Sequence, residues 1–242
     1  MSITTALIIS NVAVFVLGAL LPTAPALYNI PCGIATHEES VLYLRGSFSW
    51  YTAFAEGELW RLISYQFLHA NTMHLLFNMW ALYFFGPMVE RAMGEVRYLA
   101  FYLACGVAGP LFYILLGELG FFATPAEAGG FLQFMDALTG QPGLTGWQLV
   151  PMVGASAAIY GVLIAVAYMN PGMRVQLLIP PVNLTLRTLS LVVLGLAVLT
   201  VLANGNNAGG EAGHLGGIIM SAIIMSIWKW RVIRRRRNDG IF

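Results

Sequence analysis

Six apolar stretches organise the chain, at residues 5–21, 73–89, 96–116, 153–169, 184–203 and 213–230. Each approaches the roughly 20 residues that a helix needs to cross bilayer hydrocarbon. Backbone amides in lipid must be satisfied within their own segment, which helices do. The pattern therefore predicts an all-α polytopic membrane protein with six transmembrane helices. No repeat of fixed period is visible, so residues 1–242 are read as one membrane domain ending in a basic tail at 231–242. Ala24-Pro25-Ala26 after the first stretch has the form of a signal-peptide cleavage site. The opening residues MSITT carry no Lys or Arg, however, so the stretch reads as a retained helix.

Composition agrees. The chain is 58% hydrophobic and only 10% charged, where soluble domains carry about 25% charged residues. The net charge of +1 is spread too unevenly to build a nucleic-acid groove, and no nucleic-acid partner is expected. Two cysteines, Cys32 and Cys105, define neither a disulfide framework nor a zinc site. Ten of the twelve basic residues flank one side of the predicted spans: Arg91, Arg97, Arg174, Arg187, Lys229, Arg231 and Arg234 to Arg237. The positive-inside rule then places both termini in the cytoplasm. On the other side, 43–60 mixes Phe48, Trp50, Tyr51, Phe54 and Trp60 with charges and is expected to lie in the membrane interface. Residues 118–152, rich in Gly, Pro and Thr, read as an irregular cap, and His37 falls in a loop.

With that orientation, spans two, four and six enter from the outer side. Their first turns hold His74 with Asn78, Ser156, and His214. Polar groups in hydrocarbon are costly and point to function, and here they converge at one depth from separate helices. A serine hydroxyl is a weak nucleophile until a base takes its proton, and histidine can serve as that base. His74 and Asn78, spaced i, i+4, share a helical face and can both donate to an oxyanion. Tyr160, i+4 from Ser156, is placed to pack against a histidine from another helix. Glu211 falls in the loop before His214, so the residues favour a Ser–His dyad over a triad.

ELWRLISYQFLHANTMHLLFNMW, GPMVERAMG, VGASAAIYG and GGEAGHLGG resemble, in order, the motifs of the rhomboid intramembrane serine proteases. The matching positions are Trp60-Arg61, His74 with Asn78, Gly154 with Ser156, and Gly213-His214 with Gly217. The resemblance implies a six-helix bundle of the bacterial type, set in a bacterial inner membrane. It implies Ser156 as nucleophile, His214 as base, and oxyanion support from His74, Asn78 and the Ser156 backbone N–H. Tyr160 and Gly154 take supporting places, and Arg61 holds the first loop. Implied substrates are single-span transmembrane proteins cut near the outer membrane boundary, with lipid as the other partner and no cofactor or metal.

Two positions depart from the family pattern. Ala157 follows the nucleophile where Gly is usual. Its methyl either presses span four away from span six or is already accommodated by the neighbouring helix, and the second is favoured because well-packed interiors feel the loss of one methyl. Ser221 stands where the last helix usually has another Gly. Beyond the motifs, His69 reads as an interfacial or loop-bonding residue, Glu90 as a structural hydrogen-bonding group, and Arg234 to Arg237 as a topology determinant that attracts anionic lipid. Two other functional classes stand beside the protease. One is an inactive rhomboid relative that binds transmembrane segments without cutting them. The other is a small transporter, which would need polar residues along the full depth; spans one, three and five offer almost none.

Overall fold

Ser2 starts the first helix, its hydroxyl accepting the Thr5 amide, and α1 runs Ile3–Leu20. The computed structural model describes residues 1–30, 33–122, 146–176, 181–205 and 207–238. After α1 come strands β1 (Thr23–Ile30) and β2 (Gly33–Ser40), an antiparallel hairpin pairing Thr23 with Ser40 and Ile30 with Gly33. The expectation of a loop there is corrected, and His37 sits on β2. Short turns follow: α2 (Val41–Gly46), a π-helical turn over Tyr51–Ala55, α3 (Arg61–Ser64) and a 3-10 turn over Tyr65–Phe67. The long elements are α4 (Thr72–Met93) and α5 (Glu95–Glu118), then, after the four-residue α6 (Gly146–Leu149), α7 (Ser156–Met169). A small hairpin of β3 (Arg174–Gln176) and β4 (Asn183–Thr185) leads into α8 (Leu186–Leu202), and α9 (Ala208–Asn238) closes the chain. Most of the expected 118–152 cap, and Cys32, lie outside the described residues.

Each predicted span falls on a helix: α1, α4, α5, α7, α8 or α9. By length and apolarity, α1, α5 and α9 as far as Arg231 suffice to cross a membrane, while α7 and α8 are shorter apolar helices. The basic tail continues α9 as helix to Asn238 rather than leaving it at 230. Large apolar side chains cover the outside, among them Val16 and Leu20 on α1, Leu76, Trp80 and Phe84 on α4, and Leu196 and Leu199 on α8. An exterior this apolar on long helices suits lipid.

Helix α7 sits innermost, packed by α4, α5, α8 and α9, and most of its side chains are buried. Its 14 residues rise only about 21 Å, short of the ~30 Å hydrocarbon. The shortfall is made up by extended chain ahead of Ser156. Met152 and Phe48 exchange backbone hydrogen bonds of 2.6 and 3.0 Å, and the Gly154 amide donates to the Tyr65 carbonyl at 2.9 Å. Non-helical backbone at this depth is tolerable because the protein itself satisfies it.

That arrangement needs the first outer segment held in place, and Arg61 holds it. Only 4% exposed, its guanidinium donates to the Leu44 and Ser47 carbonyls at 2.8 and 2.6 Å and pairs with Glu58. At the far end of α4, the buried Glu90 carboxylate accepts the Ile3 amide at 2.7 Å, the Thr4 amide at 3.0 Å and the Thr4 hydroxyl at 2.6 Å. It satisfies the first N–H groups of α1 and fixes that helix to α4.

The closest approach is between α7 and α9. A Cβ at Gly217 would overlap the carbonyl oxygen of Ala157. Gly217→Ala must push the two helices apart, at a cost of about 1–3 kcal/mol for overpacking. It is expected to lower the thermal unfolding midpoint in detergent, whereas Gly172→Ala, which meets nothing within 4 Å, leaves it nearly unchanged.

Candidate active site

Ser156 is the first residue of α7. Ala155 before it provides no side-chain cap, and among the described residues no side chain accepts from the first N–H groups of α7, that of Ser156 included. His214 lies in the second turn of α9, because that helix begins at Ala208 rather than at the expected 213. The close α7–α9 approach brings His214 Nε2 to 2.8 Å from Ser156 Oγ. This is within the reach of a nucleophile–base pair.

The histidine ring is held on two further sides. Tyr160 stacks on it with centroids 4.1 Å apart and planes within 9°, as the i+4 spacing predicted. Glu211 Oε2 lies 3.0 Å from Nδ1. The expectation that no carboxylate stands near the pair is thus corrected. Because α9 starts early, Glu211 is in its first turn, three residues before His214 and on the same face.

Ser156 and His214 line a cavity of about 740 Å³ together with His74, Tyr65, Met152 and Gly154. Gly154 has φ +125°, and a Cβ there would strike the His74 ring at 2.8 Å, so this position needs glycine twice over. His74 begins α4 behind Asn71, whose side chain accepts the His74 amide at 2.9 Å. Asn78, one turn deeper, is buried, and its Nδ2 has no hydrogen-bond partner among the described residues. It is an unused donor on the His74 side, although it is not among the residues lining the cavity. Tyr65 is buried below the cavity and donates to the Gly106 carbonyl at 2.6 Å, and burial pushes its phenol pKa well up.

Both departures from the motif are absorbed. The Ala157 methyl lies over Gly109 of α5, where a Cβ would stand 2.8 Å from it, and the Ser156–His214 contact is intact. The methyl is thus accommodated without separating α7 from α9, but the expectation that it packs against the last helix is corrected: it points toward α5. Ser221 is buried and donates to the Gly161 carbonyl at 2.7 Å, an added tie between α9 and α7. The expectation of a loop-bonding role for His69 is corrected: it is buried edge-on against His74 with centroids 5.0 Å apart. Among the described residues, neither of its ring nitrogens has a partner in hydrogen-bond geometry. Burial, then the neighbouring His74, lower its pKa to about 4, against a smaller upward pull from the Phe67 backbone. Among the described residues, no group of three His, Cys, Asp or Glu could hold a metal.

A model of the Rhomboid domain matches residues 56–231. The chain is 30% identical over 185 residues to RHOMBOID-like protein 12, mitochondrial, of Arabidopsis thaliana, covering 76% of this chain and 49% of that protein. It is 29% identical over 175 residues to Rhomboid protease GluP of Bacillus subtilis, covering 70% and 27%. It is also 33% identical over 76 residues to Inactive RHOMBOID-like protein 8 of Arabidopsis thaliana, covering 31% and 22%. The chain thus spans about half, or less, of the length of these relatives.

Two outcomes follow from the site. A buried histidine held neutral contributes fully above the unfolded value near 6.5. Below it the unfolded chain takes up a proton that folded His69 refuses until about pH 4. Stability should therefore fall as pH drops from about 6.5 to 4, and His69→Gln should flatten that slope in thermal melts taken across the range. Ala157→Gly should remove roughly 1–2 kcal/mol, from a lost methyl and a helical glycine, without raising turnover. Parallel melts and substrate-cleavage assays check this; faster cleavage would mean the methyl does hold the pair apart.

Proposed function

We propose, since the chain belongs to the rhomboid family, that it is an intramembrane serine endopeptidase acting through Ser156 and His214. The family is one of integral membrane proteins and includes serine proteases as well as inactive members. The observation that carries the reading is the 2.8 Å contact between His214 Nε2 and Ser156 Oγ, made inside a cavity at one end of a lipid-facing bundle. A merely structural serine at a helix start bonds back to its own turn. A protein that only binds transmembrane segments has no need of a base at its hydroxyl.

In this reading His214 takes the Ser156 proton as Oγ attacks a substrate carbonyl, and the carbonyl electron pair moves onto oxygen. His74, Asn78 and the Ser156 N–H are the donors for that oxyanion. Their supply of N–H groups follows from the uncapped start of α7 and the unpaired Asn78 amide. The imidazolium returns its proton to the leaving amine as the C–N bond breaks. Water, activated by the same histidine, then hydrolyses the acyl-enzyme. The cavity would admit water to a site that lies between apolar helices.

The substrates proposed are single-span transmembrane proteins, cleaved near the outer boundary. The protein would reside in a bacterial inner membrane with both termini cytoplasmic; the arginine distribution supports that orientation. Arg91, Lys229 and Arg231 all stand toward the helix ends far from Ser156.

The test is cleavage of a generic transmembrane substrate by detergent-solubilised protein. Ser156→Ala is expected to abolish cleavage and leave the unfolding midpoint nearly unchanged, since it removes one oxygen beside a cavity. Asn78→Ala is expected to lower turnover about 10²–10³-fold, the cost of one oxyanion donor, with substrate affinity retained. Equal cleavage by wild type and Ser156→Ala would refute the assignment. An inert wild type would put the chain with the inactive members of the family.

A further inference from the structure

The carboxylate beside His214 is not used by a two-residue mechanism. Glu211 Oε2 sits 3.0 Å from Nδ1, while Nε2 sits 2.8 Å from Ser156 Oγ. An ionised carboxylate can only accept, so the hydrogen between Glu211 and Nδ1 belongs to the ring. A neutral imidazole protonated at Nδ1 has its lone pair on Nε2, and the Ser156 hydroxyl must then donate to it. That is the tautomer a general base needs. The groups facing the ring are Ser156 and Tyr160 from α7, His74 from α4 and Glu211 from α9 itself. Tyr65 and Tyr113 line the same cavity. Of these, Glu211 alone carries a carboxylate, and only it can offset a positive charge on the ring.

We infer that Glu211 is a positioning residue of this site, completing a Ser156–His214–Glu211 relay in place of a Ser–His dyad. The inference rests on the serine protease reading. When Oγ bonds to the substrate carbon, its proton passes to Nε2 and the ring becomes an imidazolium. Glu211 keeps accepting from Nδ1 and takes no proton itself. It holds the ring in register with Ser156, Tyr160 holds its plane, and the carboxylate stabilises the charge until the proton leaves with the amine. The rival role is structural, because an acidic residue in a first turn also favours the helix dipole.

The test compares wild type, Ser156→Ala, Glu211→Gln and Glu211→Ala by transmembrane-substrate kinetics across pH, thermal melts, and 15N-histidine NMR of the detergent-solubilised protein. Glu211→Gln is expected to lower kcat roughly 10²-fold with KM unchanged. This is less than the ~10⁴ of a fully buried triad aspartate, because the Glu211 side chain is 22% exposed. The acid limb of kcat/KM should move to lower pH, since the imidazolium loses its anion, and Glu211→Ala should match Gln. NMR should show His214 protonated at Nδ1 in wild type and a mixture of tautomers in Glu211→Gln. An active wild type matched by Glu211→Gln in kcat and acid limb overturns the role alone, as does a wild-type His214 protonated at Nε2. Losses that track a lowered unfolding midpoint, with the tautomer unchanged, assign Glu211 to helix stability instead. A wild type no faster than Ser156→Ala overturns the protease reading and this role with it.

Discussion

The approach of α9 to α7 at Gly217 governs the chemistry that the rest of the bundle can support. The carbonyl of Ala157 occupies the place where a Cβ at Gly217 would be, and one residue before that carbonyl stands Ser156. His214 is three residues before Gly217, almost one turn, and so faces the serine. The Ser221–Gly161 hydrogen bond and the Ala157 methyl against Gly109 brace the same contact from below and from the side. Helix association in lipid draws little on the hydrophobic effect and depends on such close packing and interhelical hydrogen bonds. Small residues here set a distance, and the distance sets whether a base reaches a hydroxyl.

A second constraint follows from placing water-requiring chemistry between apolar helices. The cavity exists because α7 starts late, and α7 can start late because the outer segment supplies hydrogen bonds to the chain ahead of it. Arg61 fixes that segment through the Leu44 and Ser47 carbonyls and Glu58, Phe48 pairs with Met152, and Tyr65 receives Gly154. The polar residues are therefore divided by role: Arg61 and Glu90 are satisfied by the protein, while the Asn78 amide and the start of α7 retain free donors. Satisfied groups hold the structure; unsatisfied ones at the cavity side are those available to an oxyanion.

The sequence made the long apolar helices legible, because apolar length is a strong signal and Arg and Lys mark their ends. It also suggested that Ser156, His74 and His214 converge, since each lies within the first two turns of a helix read as entering from the same side. Tyr160 was legible by simple i+4 geometry. Glu211 was missed because the start of α9 lies in a Gly-rich run, GGEAGHLGG, that carries no strong helix signal. Moving that start by five residues turns a loop glutamate into a neighbour of His214. The direction of the Ala157 methyl was equally hidden: periodicity locates a face, yet which of the four helices packed on α7 receives it is a tertiary fact. The β1–β2 hairpin contains Pro25 and lacks clear alternation, so pattern reading gave a loop. His69 showed no spacing to a partner and declared itself only by its burial against His74.

The most direct measurement is the rate at which a fluorophosphonate labels Ser156 in intact protein, mapped by peptide mass spectrometry, for wild type and His214→Ala. A hydroxyl is reactive only while a base accepts its proton. Wild type should carry the label on Ser156 alone, and His214→Ala should lose it while unfolding at nearly the same temperature. Labelling of Ser156 at equal rates in both proteins, or labelling of a different serine, would contradict the account.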